Sequence, residues 1–464
     1  MTIWPGFLLF FVQFGYAGLL KVFVLSKAGI MVRLYCPLFF KRMQWDGDSM
    51  MEQLKAMNSM PGAVREIVYR INERCISLGY KAYIVGGAVR DMLLGAGLLD
   101  IDVTVVGDAL RLADDLERFY GYRFIAHPSF KTVTLNAGLN CRIDIATARR
   151  EVYPKPAALP EIFPSDLYDD LFRRDFTINA MAVSLEGCHL IDPFGGKNDL
   201  QSGTIRVMHN KSFVDDPTRI LRGIRFETRY GFEMDNKTEE LAKASVELGY
   251  PGMLSAERIC AEMEHVFREP RYTAILRRME GLGLWKALFG AGKIPPSVYR
   301  KLQKIQKGCP GNVKFPILAL LEGVHGGKVV EVFIAYKTLY RKLCEYSARE
   351  KALRFPVRDK MMERGMLYRL FNGVEKEILE YLYWTAYTWQ YKNNIIKYMQ
   401  EVTGFNFHIG GGDLISLGVK PGPRYNDLLQ RARQEIVERG ATDRSEQMDI
   451  LKSVVTKGEE DLGN

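Results

Sequence analysis

The chain has 464 residues, 47% of them hydrophobic and 26% charged. This excludes a single small domain and a disordered or fibrous chain, and predicts two to four compact units. A net charge of +9 favours an anionic partner, nucleic acid ahead of membrane lipid. The seven cysteines stand singly with no C-x-x-C pair and the six histidines are equally dispersed. That pattern argues against a disulfide framework, a zinc site or a His-metal site, and for reduced thiols in the cytoplasm.

Residues 1–50 differ from the rest. Phe7 to Leu25 is strongly apolar, broken only by Gln13 and Lys21, and approaches the length of a membrane span. Neither a basic n-region nor a small-residue cleavage site is evident. A membrane anchor, a cleaved leader and an upstream start that adds residues foreign to the fold all compete. The last is favoured, because everything after Met60 reads as soluble, so a membrane is not an expected partner.

The spacing of Val64, Ile67, Val68 and Ile71 predicts an amphipathic helix over Ala63 to Leu78. The stretch YIVGGAVRDMLLGAGLLDIDVTVVG, from Tyr83 to Gly107, reads as strand, Gly86-Gly87 turn, short helix and second strand. Paired glycines let a backbone approach a ligand closely, and the helix behind them presents free N–H groups. Arg90 adds a fork-shaped cation. Asp100 and Asp102 lie two apart on a strand, so both carboxylates point to one face. Two carboxylates beside a phosphate cradle suggest Mg²⁺ shared between protein and substrate oxygens.

A helix capped by Asp108 is expected over Asp108 to Phe119, then strands at Arg123 to Ala126, Thr132 to Leu135 and Arg142 to Thr147. Alternating helices and strands predict a small α/β palm. In the last strand Asp144 faces away from Ile143 and Ile145. It is either a third carboxylate near the metal pair or an acid that neutralises Arg149 or Arg150. Residues 151–172, with Pro154, Pro156, Pro160 and Pro164, read as a loop. In RRDFTINAMA (Arg173 to Ala182), Arg174 is a candidate triphosphate ligand, Asp175 a candidate acceptor from a ribose hydroxyl, and Asn179 a residue that fixes either. DPFGGKNDL follows from Asp192. In DDPTRILRGIRF, from Asp215, Asp216, Arg219, Arg222 and Arg225 recur every three residues along one helix ridge. The rest is mostly helical, with Lys301, Lys304, Lys307, Arg341, Lys342, Arg349 and Lys351 as spaced cations for an RNA backbone.

Together GGAVRDMLLG, the DID of Asp100 to Asp102, RRDFTINAMA, DPFGGKNDL, DDPTRILRGIRF and AERICAEM (from Ala256) resemble, in order, the motifs of the class II tRNA nucleotidyltransferases. These are the CCA-adding enzymes, with the bacterial poly(A) polymerases as relatives. One departure is Asp215, where the family usually has Glu. The resemblance implies an α+β fold: a nucleotidyltransferase palm with a mixed sheet over 61–185, then an all-helical neck (186–270), body (271–404) and tail (405–464). Residues 1–50 have no place in it. It implies that Asp100 and Asp102 bind Mg²⁺ and that Gly87, Arg90, Arg174, Arg222 and Arg225 hold the nucleotide. Asp216 and Arg219 would then read its base. The implied reaction adds or repairs the 3′-terminal CCA of tRNA from CTP and ATP, releasing pyrophosphate by two-metal-ion catalysis. Close rivals are CC-adding and A-adding tRNA enzymes and poly(A) polymerase. A catalytically silent RNA-binding or membrane-tethered protein is a rival of another class.

Overall fold

A computed structural model describes residues 8–11, 21–25, 31–35, 60, 62–96, 100–135, 141–353 and 358–463. The first three pieces are strands β1 (Leu8–Phe11), β2 (Lys21–Leu25) and β3 (Met31–Tyr35), paired antiparallel in that order. Most of residues 1–50, and with them the choice between anchor, leader and foreign extension, lies outside the described residues. Among the described residues no helix is long and apolar enough to cross a membrane.

The chain divides into two compact units. The first holds residues 1–154, 159–212 and 233–238; the second holds 155–158, 213–232 and 239–464. The segment expected as a neck is therefore shared between them.

In unit 1 the amphipathic spacing yields helix α1 (Gly62–Leu78), which buries Val64, Ile67, Val68 and Ile71 as its pattern requires. Strand β4 (Lys81–Val85), helix α2 (Gly87–Leu93), strand β5 (Asp100–Val106) and helix α3 (Ala109–Tyr120) follow. The Asp108 carboxylate caps α3, accepting from the N–H groups of Leu110 (2.9 Å) and Arg111 (3.2 Å). Strands β6 (Phe124–His127), β7 (Thr132–Leu135) and β8 (Arg142–Thr147) are followed by β9 (Arg149–Val152) and β10 (Glu161–Pro164).

The last pair corrects the expected loop over 151–172. β9 and β10 form an antiparallel two-stranded sheet, and helix α4 (Leu167–Phe172) begins at an Asp166 cap. The prolines sit between the strands, at the end of β10 and before α4, where no ladder donor is lost.

Strands β11 (Ala182–Ser184) and β12 (Leu190–Ile191) complete a mixed sheet of seven, ordered β12-β11-β4-β5-β8-β7-β6. All its neighbouring pairs are antiparallel except β5 with β8. Ile101, Val103, Val105, Ile143 and Ile145 are buried, so one face of this central pair is core and the other carries Asp100, Asp102 and Asp144. Helix α5 (Gly196–Ser202) lies against the turn at Thr177–Asn179.

Unit 2 is helical, as expected. Its labelled helices are α6 (Thr218–Tyr230), α7 (Ala256–Arg268), α8 (Pro296–Gly308), α9 (Lys376–Thr385) and α10 (Trp389–Glu401). Between α8 and α9 lie a short helix at Val329–Val332 and a longer one from Lys337 to Ala352. The C-terminal helices Gly411–Ser416, Arg424–Arg439 and Arg444–Gly463 enclose an apolar cluster of their own, including Leu414, Leu428, Ile436 and Leu451.

Candidate active site

Strand register brings the acids together. Asp102 lies opposite Val85 of β4 on one side and Asp144 of β8 on the other. Period-two alternation puts Asp100 and Asp102 on the same open face of β5. Asp144 shares that face, but its carboxylate is engaged: Arg142 pairs with it at 2.9 Å and Thr134 Oγ1 donates to it at 2.6 Å. The sequence weighed Arg149 and Arg150 as its partners. Arg149 instead pairs with Glu151 (2.8 Å), because Arg142 stands two residues away on Asp144's own face.

The carboxylates of Asp100 and Asp102 make no hydrogen bond or ion pair with another described residue. Although the Asp102 residue is open to solvent, protein packed around its carboxyl raises the pKa above the ordinary aspartate value. Arg174 opposes that rise, and repulsion from Asp144 and Asp100 adds to it. Two uncommitted carboxylates that repel one another form a hard-oxygen donor set suited to a hard divalent cation, which takes a few protein oxygens and completes its shell with water and phosphate. Among the described residues no group of three or more His, Cys, Asp and Glu could hold a metal ion.

Beside these acids β4 ends at Gly86, whose backbone (φ 72°, ψ −134°) is open to glycine and strained for other residues. A Cβ there would come within 2.5 Å of Arg174 Nη1, so the glycine leaves room for that guanidinium. Arg174 is steered by Asp170, which accepts from its Nη2 at 2.8 Å. Asp170 is wholly buried and also accepts from Arg173 Nε (3.0 Å), Arg173 Nη2 (2.8 Å) and Thr104 Oγ1 (3.2 Å). Burial alone would raise its pKa, but Arg174 and Arg173 outweigh burial and hold it down at about 2. Arg174 Nε is buried without a hydrogen-bond partner among the described residues. A polar donor so placed has a reason to meet a ligand acceptor.

Arg90, expected beside the nucleotide, is buried. Its Nη1 donates to Asn179 Oδ1 (2.6 Å) and its Nε to Asp91 Oδ1 (2.9 Å). Asn179 Nδ2 in turn donates to Asp175 Oδ1 (2.9 Å). Arg90, Asn179 and Asp175 thus form one polar chain under the Gly86-Gly87 turn.

The DPFGGKNDL segment supports the neighbouring Thr177–Asn179 turn. Asp192 accepts from the N–H groups of Gly196 (2.7 Å) and Lys197 (2.9 Å). Asp199 accepts from Thr177 Oγ1 (2.6 Å). A Cβ at Gly196 would sit 2.1 Å from the Thr177 carbonyl oxygen. Gly196→Ala is therefore expected to destabilise unit 1 by roughly 1–3 kcal/mol, in line with forced overpacking, read as a lower urea midpoint.

In unit 2 the Asp216 Oδ1 atom accepts from Thr218 N (3.0 Å), Thr218 Oγ1 (2.6 Å) and Arg258 Nη2 (2.7 Å). Arg258 Nη1 also donates to the Ala157 carbonyl (2.7 Å). The arginine ridge of α6 is not a solvated face. Arg219 and Arg225 are buried, and Arg225 faces Glu262 (3.4 Å) and Glu269 (3.5 Å). Burial lowers the Arg225 pKa, against the pull of both acids. Arg222 is more open and stands 4.0 Å from Glu262.

Asp170 and Arg258 are the residues that sequence reasoning missed. A signal for Asp170 existed, since Arg173 and Arg174 follow it at the i+3 and i+4 spacing of a helix. Reading the segment as loop hid it. Arg258 lay inside a recognised motif, but its partners are distant in sequence.

The family model described as the poly(A) polymerase head domain matches residues 82–206, the stretch from β4 to just past α5. An A-adding tRNA nucleotidyltransferase of Geobacter sulfurreducens is 34% identical over 399 residues, covering 79% of this chain and 44% of that protein. A CC-adding tRNA nucleotidyltransferase of Deinococcus radiodurans is 37% identical over 210 residues, covering 45% of this chain and 55% of that protein. The chain thus spans about half the length of these curated relatives. A solved complex of a CCA-adding enzyme with CTP is 31% identical, with a TM-score of 0.70, covering 90% of this chain and 100% of that one. With 31% identity along the full length of that structure, the chain belongs to the family of tRNA nucleotidyltransferases and poly(A) polymerases.

Proposed function

We propose that this protein is a template-independent RNA nucleotidyltransferase that adds or repairs the 3′-terminal CCA of tRNA, using CTP and ATP and releasing pyrophosphate. The observation that carries the reading is the pair Asp100 and Asp102, uncommitted on one face of β5, beside the Gly86 turn and the Arg174 that Asp170 holds in place. Relatives with A-adding and CC-adding activity and a CTP-bound neighbour support the substrate class.

Asp100 and Asp102 would hold Mg²⁺, which when bound supplies positive charge to the reacting phosphate and to the leaving pyrophosphate. Arg174 presents its guanidinium to the triphosphate. The chain of Arg90, Asn179 and Asp175 keeps the turn rigid, so that orientation is set before substrate arrives. Asp144, tethered by Thr134 and Arg142, orients the neighbouring acids electrostatically. Asp216 and Arg219 read the base, with Arg222 and Arg225 as supporting cations. Cytosine and adenine each place an amino donor beside a ring-nitrogen acceptor, which a carboxylate and a guanidinium match. The fixed Asp216 supports this role: its Oδ1 is occupied, while Oδ2 makes no hydrogen bond with a described residue. The dispersed thiols, with no disulfide among the described residues, support a cytoplasmic setting.

The test is purified protein with tRNA lacking its 3′ end, offered CTP, ATP or both. Products that stop after CCA support the proposal, and long A tails on unrelated RNA favour poly(A) polymerase. A second reading, addition of the terminal A alone, is supported by the A-adding relative that aligns over 79% of the chain. It expects incorporation only on tRNA already ending in CC. Arg219→Ala is expected to lower the preference for CTP and ATP over UTP by about tenfold or more, measured by competition between nucleotides. Unchanged preference would remove Arg219 from base reading.

A further inference from the structure

The turn joining α9 to α10 leaves two aromatic rings in solvent on a backbone that is tied down. Tyr387 is 54% exposed and Trp389 69% exposed. Yet Lys304 Nζ of α8 donates to the Ala386 carbonyl (2.7 Å), and Thr388 Oγ1 donates to the Arg358 carbonyl. Thr388 also caps α10, its hydroxyl accepting from Tyr391 N (3.3 Å). Bare rings on a loose loop are unremarkable; bare rings on a pinned one are arranged for contact, because their ordering entropy is already spent.

One cation stands beside Tyr387, and another lies on α10 three residues after Trp389. Lys304 Nζ lies 4.0 Å from the Tyr387 ring centroid, and Lys392 Nζ of α10 lies 4.9 Å from the ring of Tyr383 and 5.9 Å from that of Trp384. Trp384 packs on α8 at Gly308, where a Cβ would meet its ring at 2.2 Å, so α8, α9 and α10 converge at this one place. Neither lysine forms an ion pair among the described residues. Burial, and then repulsion from Lys392, lowers the Lys304 pKa, as two neighbouring ammonium groups without a counter-ion require. An apolar protein partner would have to bury those charges. A duplex backbone held by phosphates alone makes no use of exposed rings. Single-stranded nucleic acid uses both, a base face for the ring and a phosphate for the ammonium.

We propose that Tyr387 and Trp389, flanked by Lys304 and Lys392, form a platform on which an unpaired base of the RNA substrate stacks while adjoining phosphates meet the two lysines. This rests on the reading of the chain as an RNA-modifying enzyme and adds a contact point in unit 2 that the catalytic motifs do not include.

The test uses the full chain carrying Tyr387→Ala with Trp389→Ala, and separately Lys304→Gln with Lys392→Gln, each confirmed as folded by thermal melting. The probe is fluorescently labelled tRNA lacking its 3′ end. The aromatic pair of substitutions is expected to weaken binding about tenfold or more, with kcat at saturating tRNA and KM for CTP and ATP unchanged. Trp389→Phe is expected to bind like wild type. The lysine pair is expected to weaken binding and flatten its salt dependence. RNA affinity within twofold of wild type in both double variants overturns the platform, whatever the enzyme's activity. A wild-type protein that adds no nucleotide, yet loses RNA binding when the rings are removed, overturns the proposed reaction and leaves the platform standing.

Discussion

Asp102→Asn is expected to reduce nucleotide incorporation roughly 10³-fold or more, equivalent to about 4 kcal/mol of transition-state stabilisation, while tRNA affinity stays at the wild-type level. The substitution keeps shape and removes only the anion, so the loss reports charge and not packing. A second readout separates this from simple damage. In the folded protein the Asp102 pKa is raised, by the protein crowded around it and by Asp144 and Asp100, against Arg174. A raised carboxylate pKa means that the folded state binds its proton more tightly than the unfolded state. Stability therefore falls as pH rises through the interval between the two pKa values, and the full cost is present at neutral pH. Without metal, Asp102→Asn is thus expected to melt at or above the wild-type temperature at pH 7, with the difference vanishing in acid where Asp102 is protonated. Added Mg²⁺ should raise the wild-type melting temperature more than that of the variant, since only the intact pair gains by binding. A variant that retains incorporation, or gains as much from Mg²⁺ as wild type, would sink the metal assignment.

The same site shows why some of this molecule was legible in the sequence and some was not. β4, the glycine turn, α2 and β5 were readable because apolar runs, a Gly-Gly pair and period-two acids each dictate local geometry without help from elsewhere. Asp108 as a cap is equally local. The residues that failed to declare themselves act across the fold. Asp144 finds Thr134 on the next strand and Arg142 two residues away, a choice set by the pairing of β7 with β8. The β9–β10 pair was hidden because four prolines outweigh a short strand pattern, although none of them interrupts the ladder. In α6 the arginines recur as read, but Glu262 and Glu269, far along the chain, bury that ridge. Periodicity reveals which residues share a face, not what covers it.

Asp170 is where that lesson has its largest energetic consequence. The carboxylate is fully buried and holds Arg173 and Arg174 together. Asp170→Asn leaves the Arg174 guanidinium in a low-polarity setting without its counter-charge, while Arg173 keeps only Glu151 (3.2 Å), and such a loss costs about 3–5 kcal/mol. The expected fall in melting temperature is roughly 5–15 °C, on a scale of a few degrees per kcal/mol. The pH dependence fixes the cause. Because the folded pKa is depressed to about 2 from an ordinary 3.8, the stabilisation is present above the unfolded value and is lost as pH falls through the folded one. That shift corresponds to about 2 kcal/mol of the total. The gap between wild type and variant should therefore be constant from neutral pH down to about 4 and narrow only below it. Function should follow position: with Arg174 released from its tether, KM for the nucleotide rises while tRNA binding is spared. If the variant melts like wild type, or if the gap closes well above pH 4, Asp170 does not hold the triphosphate ligand in place, and Arg174 must be positioned by something else.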